Sequence, residues 1–154
     1  MKQKKFVFLM LAVCVLAFNS CKKSSTKPKV AAQNISLKAN GTAYSSATPI
    51  AIYSKTGGTL LITGAFSATS TVVLGIGGIT TTGTFDITSG TATASYVTGT
   101  TLQDAYLGTS GNIVVTSFTS TTVAGTFAFT GTNLATAATE TITSGQFSAN
   151  YTSQ

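Results

Sequence analysis

Three features of this 154-residue chain predict an all-β fold, an antiparallel β-sandwich with a small closed β-barrel as the alternative. From Ala31 to the end it holds 30 Thr and 14 Ser, and the β-branched threonine side chain suits a pleated surface. Glycines and Thr/Ser clusters break the same stretch about every 8 to 12 residues, the spacing of short strands in sandwiches and barrels. Several runs alternate apolar and polar residues, and none has a convincing helical period. Long stretches also lack Glu, Lys, Arg and Leu, the strong helix formers.

The elements follow in order. Ile35 to Ala39 reads as a strand, and Asn40-Gly41 is a strong two-residue hairpin turn into Thr42 to Tyr44. Pro49 marks a strand start or edge before Ile50 to Ser54. Thr56-Gly57-Gly58 turns the chain into Thr59 to Thr63. Thr71 to Ile76 ends at Gly77-Gly78, Thr82 to Ile87 follows, and then Thr93 to Val97 and Leu102 to Leu107. Asn112 to Thr119 is the next strand. Val123, Phe127 and Phe129 then share one parity against Ala124, Thr126, Ala128 and Thr130, as a half-buried antiparallel strand requires. The alanine-rich Leu134-Ala135-Thr136-Ala137-Ala138 is expected to be a loop. Thr139 to Thr143 leads through Ser144-Gly145 to Phe147, Ala149 and Tyr151, with Gly145 expected at a bulge or turn that shifts the parity. Gly-Thr-Phe occurs twice, at Gly83-Thr84-Phe85 and Gly125-Thr126-Phe127, and is read as recurring strand chemistry rather than an internal repeat.

Ahead of this domain, residues 1–20 have the parts of a secretory signal: Lys2, Lys4 and Lys5, then an uncharged, mostly apolar run from Phe6 to Phe18. That run is shorter than the ~20 apolar residues that span a bilayer. Phe18-Asn19-Ser20-Cys21 resembles a lipobox, the motif cut by lipoprotein signal peptidase. Phe18 and Asn19 depart from its Leu-small-small-Cys pattern. Leu11-Ala12-Val13-Cys14 is a second candidate, but cutting there leaves a very short apolar run and puts apolar residues after the lipid. The resemblance implies cleavage before Cys21 and lipidation of that cysteine. Residues 21–30 contain Lys22, Lys23, Lys27, Pro28 and Lys29, too polar to order themselves, and read as a flexible tether. Residues 31–154 then form one domain.

The formal charge of +6 points at first to nucleic acid. Its location removes that reading. From Val30 onward only Lys38 and Lys55 remain, against Asp86, Asp104 and Glu140, and the chain has no Arg or His. A nucleic-acid surface needs clustered cations to displace counterions. Without His, Ser-His-Asp and Cys-His catalysis are excluded. With Cys21 acylated and Cys14 removed there is no thiol for redox chemistry or metal binding, and no cofactor motif is present; Gly75-Ile76-Gly77-Gly78 lacks the spacing and the helix of a phosphate loop. Three scattered carboxylates leave one catalytic alternative, a hydrolase acting on envelope glycans. It would need two of Asp86, Asp104 and Glu140 within ~10 Å. The binding candidates are Tyr44, Tyr53, Tyr96, Tyr106 and Tyr151, which as an exposed set can stack on sugars or partner surfaces.

Gly125-Thr126-Phe127-Ala128-Phe129 and Ile142-Thr143-Ser144-Gly145-Gln146-Phe147, together with the lipobox-like signal and the Asn-Gly hairpin, resemble small Bacteroidetes-type lipoproteins with an uncharacterised domain. The resemblance implies fold and location and offers no catalytic residue to carry over. The expected function is a non-enzymatic binding or structural module, held to the membrane by its N-terminal lipid and meeting an envelope protein or a glycan. The third alternative is a carrier with a small apolar ligand inside a barrel lined by the phenylalanines. Lys22 after the cysteine favours the outer membrane by resemblance to enteric sorting. The absence of an acidic motif there favours the periplasmic face over the cell surface.

Overall fold

The computed structural model describes residues 32–154. The predicted signal peptide, residues 1–20, and the whole tether with Cys21, residues 21–30, lie outside the described residues. The described chain forms ten strands: β1 (Asn34–Ala39), β2 (Thr42–Ser46), β3 (Ile50–Ser54), β4 (Thr59–Ala65), β5 (Thr71–Ile76), β6 (Gly83–Asp86), β7 (Ala92–Val97), β8 (Ala105–Phe118), β9 (Thr122–Asn133) and β10 (Thr139–Ser153). One 3-10 turn, Leu102–Asp104, precedes β8. The predicted all-β antiparallel architecture is what forms, and among the described residues the one parallel pairing is β10 with β3.

All ten strands belong to one hydrogen-bonded sheet. Its six-stranded part runs β2-β1-β10-β9-β8-β6, and its four-stranded part runs β3-β4-β5-β7. Two long strands join the parts. β8 pairs with β7 at Ala105–Leu107 and with β6 at Asn112–Val115, while β10 pairs with β1 up to Ser148 and with β3 from Tyr151. Strands that change neighbours in this way make the corners of packed sheets. The two parts face each other across one core. A Cβ on Gly64 of β4 would strike the Ile35 side chain of β1, and Tyr44 of β2 meets Tyr96 of β7 at 6.3 Å between ring centroids. Neither pair is adjacent in the sheet.

The sequence reading breaks β8 in two, and here the structure differs: Gly108 to Gly111 do not end a strand but form a bulge inside it. The bulge expected at Gly145 does form, between Ile142 and Gly145 of β10. Ser144 takes a left-handed conformation at φ 52, and the parity shift expected at Gly145 occurs within a continuing strand. The Asn40-Gly41 turn forms as predicted, with both residues at positive φ, 45 and 87, as a type I′ hairpin demands.

The two Gly-Thr-Phe motifs find their reason in register. β6 and β9 are the two neighbours of β8, and each motif stands at the same level: Gly83 and Gly125 oppose Val115, and Phe85 and Phe127 oppose Ile113. The closing motif continues the pattern. Phe147 lies opposite Gly125 and Phe127 opposite Gly145. A Cβ on Gly125 would come within 2.7 Å of the Phe147 ring, and one on Gly145 within 2.6 Å of the Phe127 ring. The small residue makes room for the ring on the next strand, so aromatic volume fills the core without spreading the strands.

Candidate functional site

The five candidate tyrosines do not form one row. Tyr44 and Tyr96 join Phe66 at one end of the core, with Tyr96 almost fully buried and its hydroxyl 3.1 Å from that of Ser70. Burial pushes the Tyr96 phenol above its usual range. Tyr53 and Tyr151 join Phe118 elsewhere, with centroid separations of 5.3 to 5.6 Å. Their hydroxyls donate to the carbonyls of Ile79 and Thr119. Tyr106 lies opposite Tyr96 and Asn133 in neighbouring strands and packs over Gly131. All five are at least half-buried, and packing against the core occupies the rings of Tyr44, Tyr53, Tyr96 and Tyr151.

The carboxylates are equally dispersed. Asp86 accepts the Ser89 backbone N–H at 2.7 Å and closes a turn. Asp104 accepts the Thr101 hydroxyl at 2.7 Å and the Thr101 N–H at 3.0 Å, bonds that hold its carboxyl below the usual range. Glu140 accepts from the Asn40 side-chain amide at 2.8 Å, and partial burial raises its pKa. Asp86 on β6 and Glu140 on β10 are three strand steps apart, about 14 Å before any stagger along the strands. Among the described residues no group of three His, Cys, Asp or Glu side chains gathers as metal ligands would.

The distribution of exposed apolar side chains is not dispersed. Four large ones stand out among the described residues: Leu134 at 81 % exposed, Ile50 at 64 %, Leu107 at 43 % and Leu61 at 42 %. The strand register puts three of them on one surface. Ile50, Leu61 and Leu107 belong to the outward parity of β3, β4 and the β7-paired end of β8, together with the half-buried Ile52, Val73 and Val97. One row across five strands reads Ile50, Thr63, Val73, Ser95, Leu107. At its edge, Leu107 and Leu134 line a groove of about 390 Å³ with Gln103, Ala105 and Ala135.

A buried polar residue fixes that groove. Asn133, the last residue of β9, is 2 % exposed. Its Nδ2 donates to the Gln103 carbonyl, which ties the 3-10 turn before β8 to the β9–β10 turn. Its Oδ1 accepts the N–H groups of Ala135 and Thr136 at 2.9 and 3.0 Å. Its backbone N–H donates to Ala138 and its carbonyl accepts from Ala137, both at 2.8 Å. Both walls of the groove therefore hang on one side chain whose hydrogen bonds are satisfied, which makes a buried amide stabilising rather than costly. Asn133-Leu134 carries a faint sequence signal for this, an Asn entering a short apolar turn.

The pattern of the DUF6252 family, a domain of unknown function, matches residues 32–149, nearly all of the described chain. The chain belongs to that family. The match takes in all of β1 to β9 and most of β10, the long strand that closes the DUF6252 domain against β3. Nothing among curated proteins or solved structures matches the chain.

Proposed function

We propose that this DUF6252 protein is a non-catalytic binding module of the cell envelope, anchored by a lipid on Cys21 and meeting its partner through its apolar side. The observation that carries the reading is the placement of Ile50, Leu61, Leu107 and Leu134. All four large exposed apolar side chains border one surface, and exposed apolar area gathered in one place marks an interaction site. The groove is preorganised by Asn133, so binding does not have to order its walls. The spread of Asp86, Asp104 and Glu140 argues against the hydrolase reading, which needs a close pair. The use of Phe127 and Phe147 over glycines argues against an interior ligand cavity lined by phenylalanine. The lipobox-like Phe18-Asn19-Ser20-Cys21 and the cationic tether support an outer-membrane lipoprotein of Bacteroidetes type, with the domain in the periplasm.

The test has two parts. Metabolic labelling with a fatty-acid analogue is expected to mark the wild-type chain in the membrane fraction and not Cys21→Ala. Absence of label on wild type overturns the anchor. Cross-linked pull-down with wild type and with Leu107→Ser/Leu134→Ser is expected to recover a partner that the double variant loses. Recovery of the same set by both overturns the apolar side as the contact.

A further inference from the structure

An asparagine followed by glycine loses its side-chain amide more readily than any other, because no side chain shields the glycine nitrogen from the asparagine Cγ. Of the asparagines in this chain, Asn40 is the one that precedes a glycine. Asn40 and Gly41 are both exposed at the tip of the β1–β2 hairpin, and a Cβ on Gly41 would meet nothing within 4 Å. Nothing in the turn itself hinders the reaction; what lies across from it on β10 does. We infer that Asn40 is a modification site of this chain, an asparagine that Glu140 and Thr141 guard against conversion to aspartate and isoaspartate, and whose conversion unfastens the β1–β2 hairpin from β10. This goes beyond the binding reading above and does not rest on it.

In the reaction the Gly41 backbone nitrogen attacks Asn40 Cγ. A C–N bond forms, the Cγ–Nδ2 bond breaks, and Nδ2 leaves as ammonia with the proton from the Gly41 nitrogen. Water then opens the cyclic imide at either carbonyl and gives aspartate or isoaspartate. Attack requires the side chain to swing over the Gly41 nitrogen, and both of its polar atoms are engaged elsewhere. Nδ2 donates to Glu140 Oε2 at 2.8 Å, and Oδ1 accepts the Thr141 N–H at 3.0 Å. The Asn40 N–H also donates to the Thr141 carbonyl at 3.0 Å, so main chain and side chain are tied to the same stretch of β10. These side-chain bonds must break before Cγ can move, and the one to a carboxylate is of the stronger kind. Losing one such bond from the ground state raises the rate about tenfold. The same bonds make the products disruptive. Aspartate puts a second carboxylate where Nδ2 met Glu140, and like charges so close repel. Isoaspartate adds a main-chain carbon to a two-residue turn that depends on φ 45 and φ 87. Ala39 is the last β1 residue paired with β10, so Asn40 is the fastener at that end of the pairing.

The experiment follows the full chain at about pH 8 and 37 °C by peptide mass, reading the gain of one mass unit on the peptide that holds Asn40, with the chain unfolded in urea as reference. Folded wild type is expected to convert about tenfold more slowly than the unfolded chain, or slower still. Glu140→Ala is expected to convert about tenfold faster than wild type, and Glu140→Gln, which keeps an acceptor, to stay within about threefold of it. Equal rates in folded and unfolded wild type overturn the guard, and this comparison decides even if a variant fails to fold. Equal rates in wild type and a folded Glu140→Ala overturn the role of Glu140. The converted chain, separated by its added negative charge, is expected to exchange the Thr141 amide hydrogen about tenfold faster, with the amide of the buried Ile113 unchanged. An unchanged Thr141 amide overturns the unfastening.

Discussion

The two outer faces of this domain use the same fold and differ in almost every side chain. The outside of β2-β1-β10-β9-β8-β6 carries Ser45, Ser36, Gln146, Thr126 and Thr84 at one level, with Val114 the only large apolar member of that row. The outside of β3-β4-β5-β7 alternates Ile50, Val73 and Leu107 with Thr63 and Ser95. Both faces have threonine in plenty, so β-propensity does not separate them. What separates them is the residue between the threonines, small or amide-bearing on one side and branched apolar on the other. A sheet needs an apolar inner face for its core; an apolar outer face needs some other cause, and partner contact is the physical one available. The hydroxyl face shows how this chain covers a sheet that only water meets.

Substitutions inside the two halves should separate their supports. The largest effect is expected from Gly125→Val on the hydroxyl side. A Cβ there would overlap the Val114 carbonyl and crowd the Phe147 ring, so the change should cost about 3 kcal/mol or more in chemical denaturation. Asn133→Ala, on the apolar side, follows. It strands the Gln103 carbonyl and two N–H groups in a buried turn and should cost about 2–3 kcal/mol. The two sites are distant along β9, so the double variant should show additive costs. A strongly non-additive result would mean that the two sides form one mechanical unit. That would undo the claim that the groove has its own support.

The fold was largely legible because threonine, glycine and period-two alternation act locally. The bounds of β3 and β5 can be read residue for residue from Ile50–Ser54 and Thr71–Ile76. β8 could not be read whole, because Gly108 and Gly111, which look like a strand end, belong to a bulge held by a neighbour far away in sequence. The binding side was illegible for the same reason. Ile50, Leu61, Val73 and Leu107 alternate with buried residues within their own strands, and only register across β3, β4, β5 and β8 shows that they share a surface. The tyrosines misdirect attention for a converse reason: composition marks them as amphipathic, but it does not show that Phe66 and Phe118 cover them.

If the apolar face serves a partner rather than stability, removing its side chains should leave the isolated domain almost unmoved. Leu61→Thr and Ile50→Thr are each expected to change stability by no more than about 0.5 kcal/mol, since both are solvent-exposed residues in strands that threonine suits. The matching changes on the hydroxyl face, Thr126→Leu and Thr84→Leu, should be as small. Unfolding midpoints in urea read both sets. A loss of 2 kcal/mol from the first set alone would show that the Ile and Leu side chains act structurally, and the contrast between the faces would lose its functional meaning.

The smallest expected effect comes from charge at the edges of the two sides, and its sign differs between them. Glu140 has a raised pKa through partial burial, so its folded form holds a proton more readily than its unfolded form. Its contribution is therefore complete below the unfolded pKa and lost as pH rises through the folded one. Asp104, beside the groove, is held low by the Thr101 hydroxyl and N–H, so its contribution is present above the unfolded pKa and lost as pH falls through the folded one. Glu140→Gln keeps an acceptor for Asn40 and removes the charge that burial disfavours. Thermal unfolding at pH 7 should move slightly up for Glu140→Gln and slightly down for Asp104→Asn, and both differences should shrink at pH 3. A shift of the same sign in both variants at pH 7 would mean that net charge, and not these two local environments, governs the response.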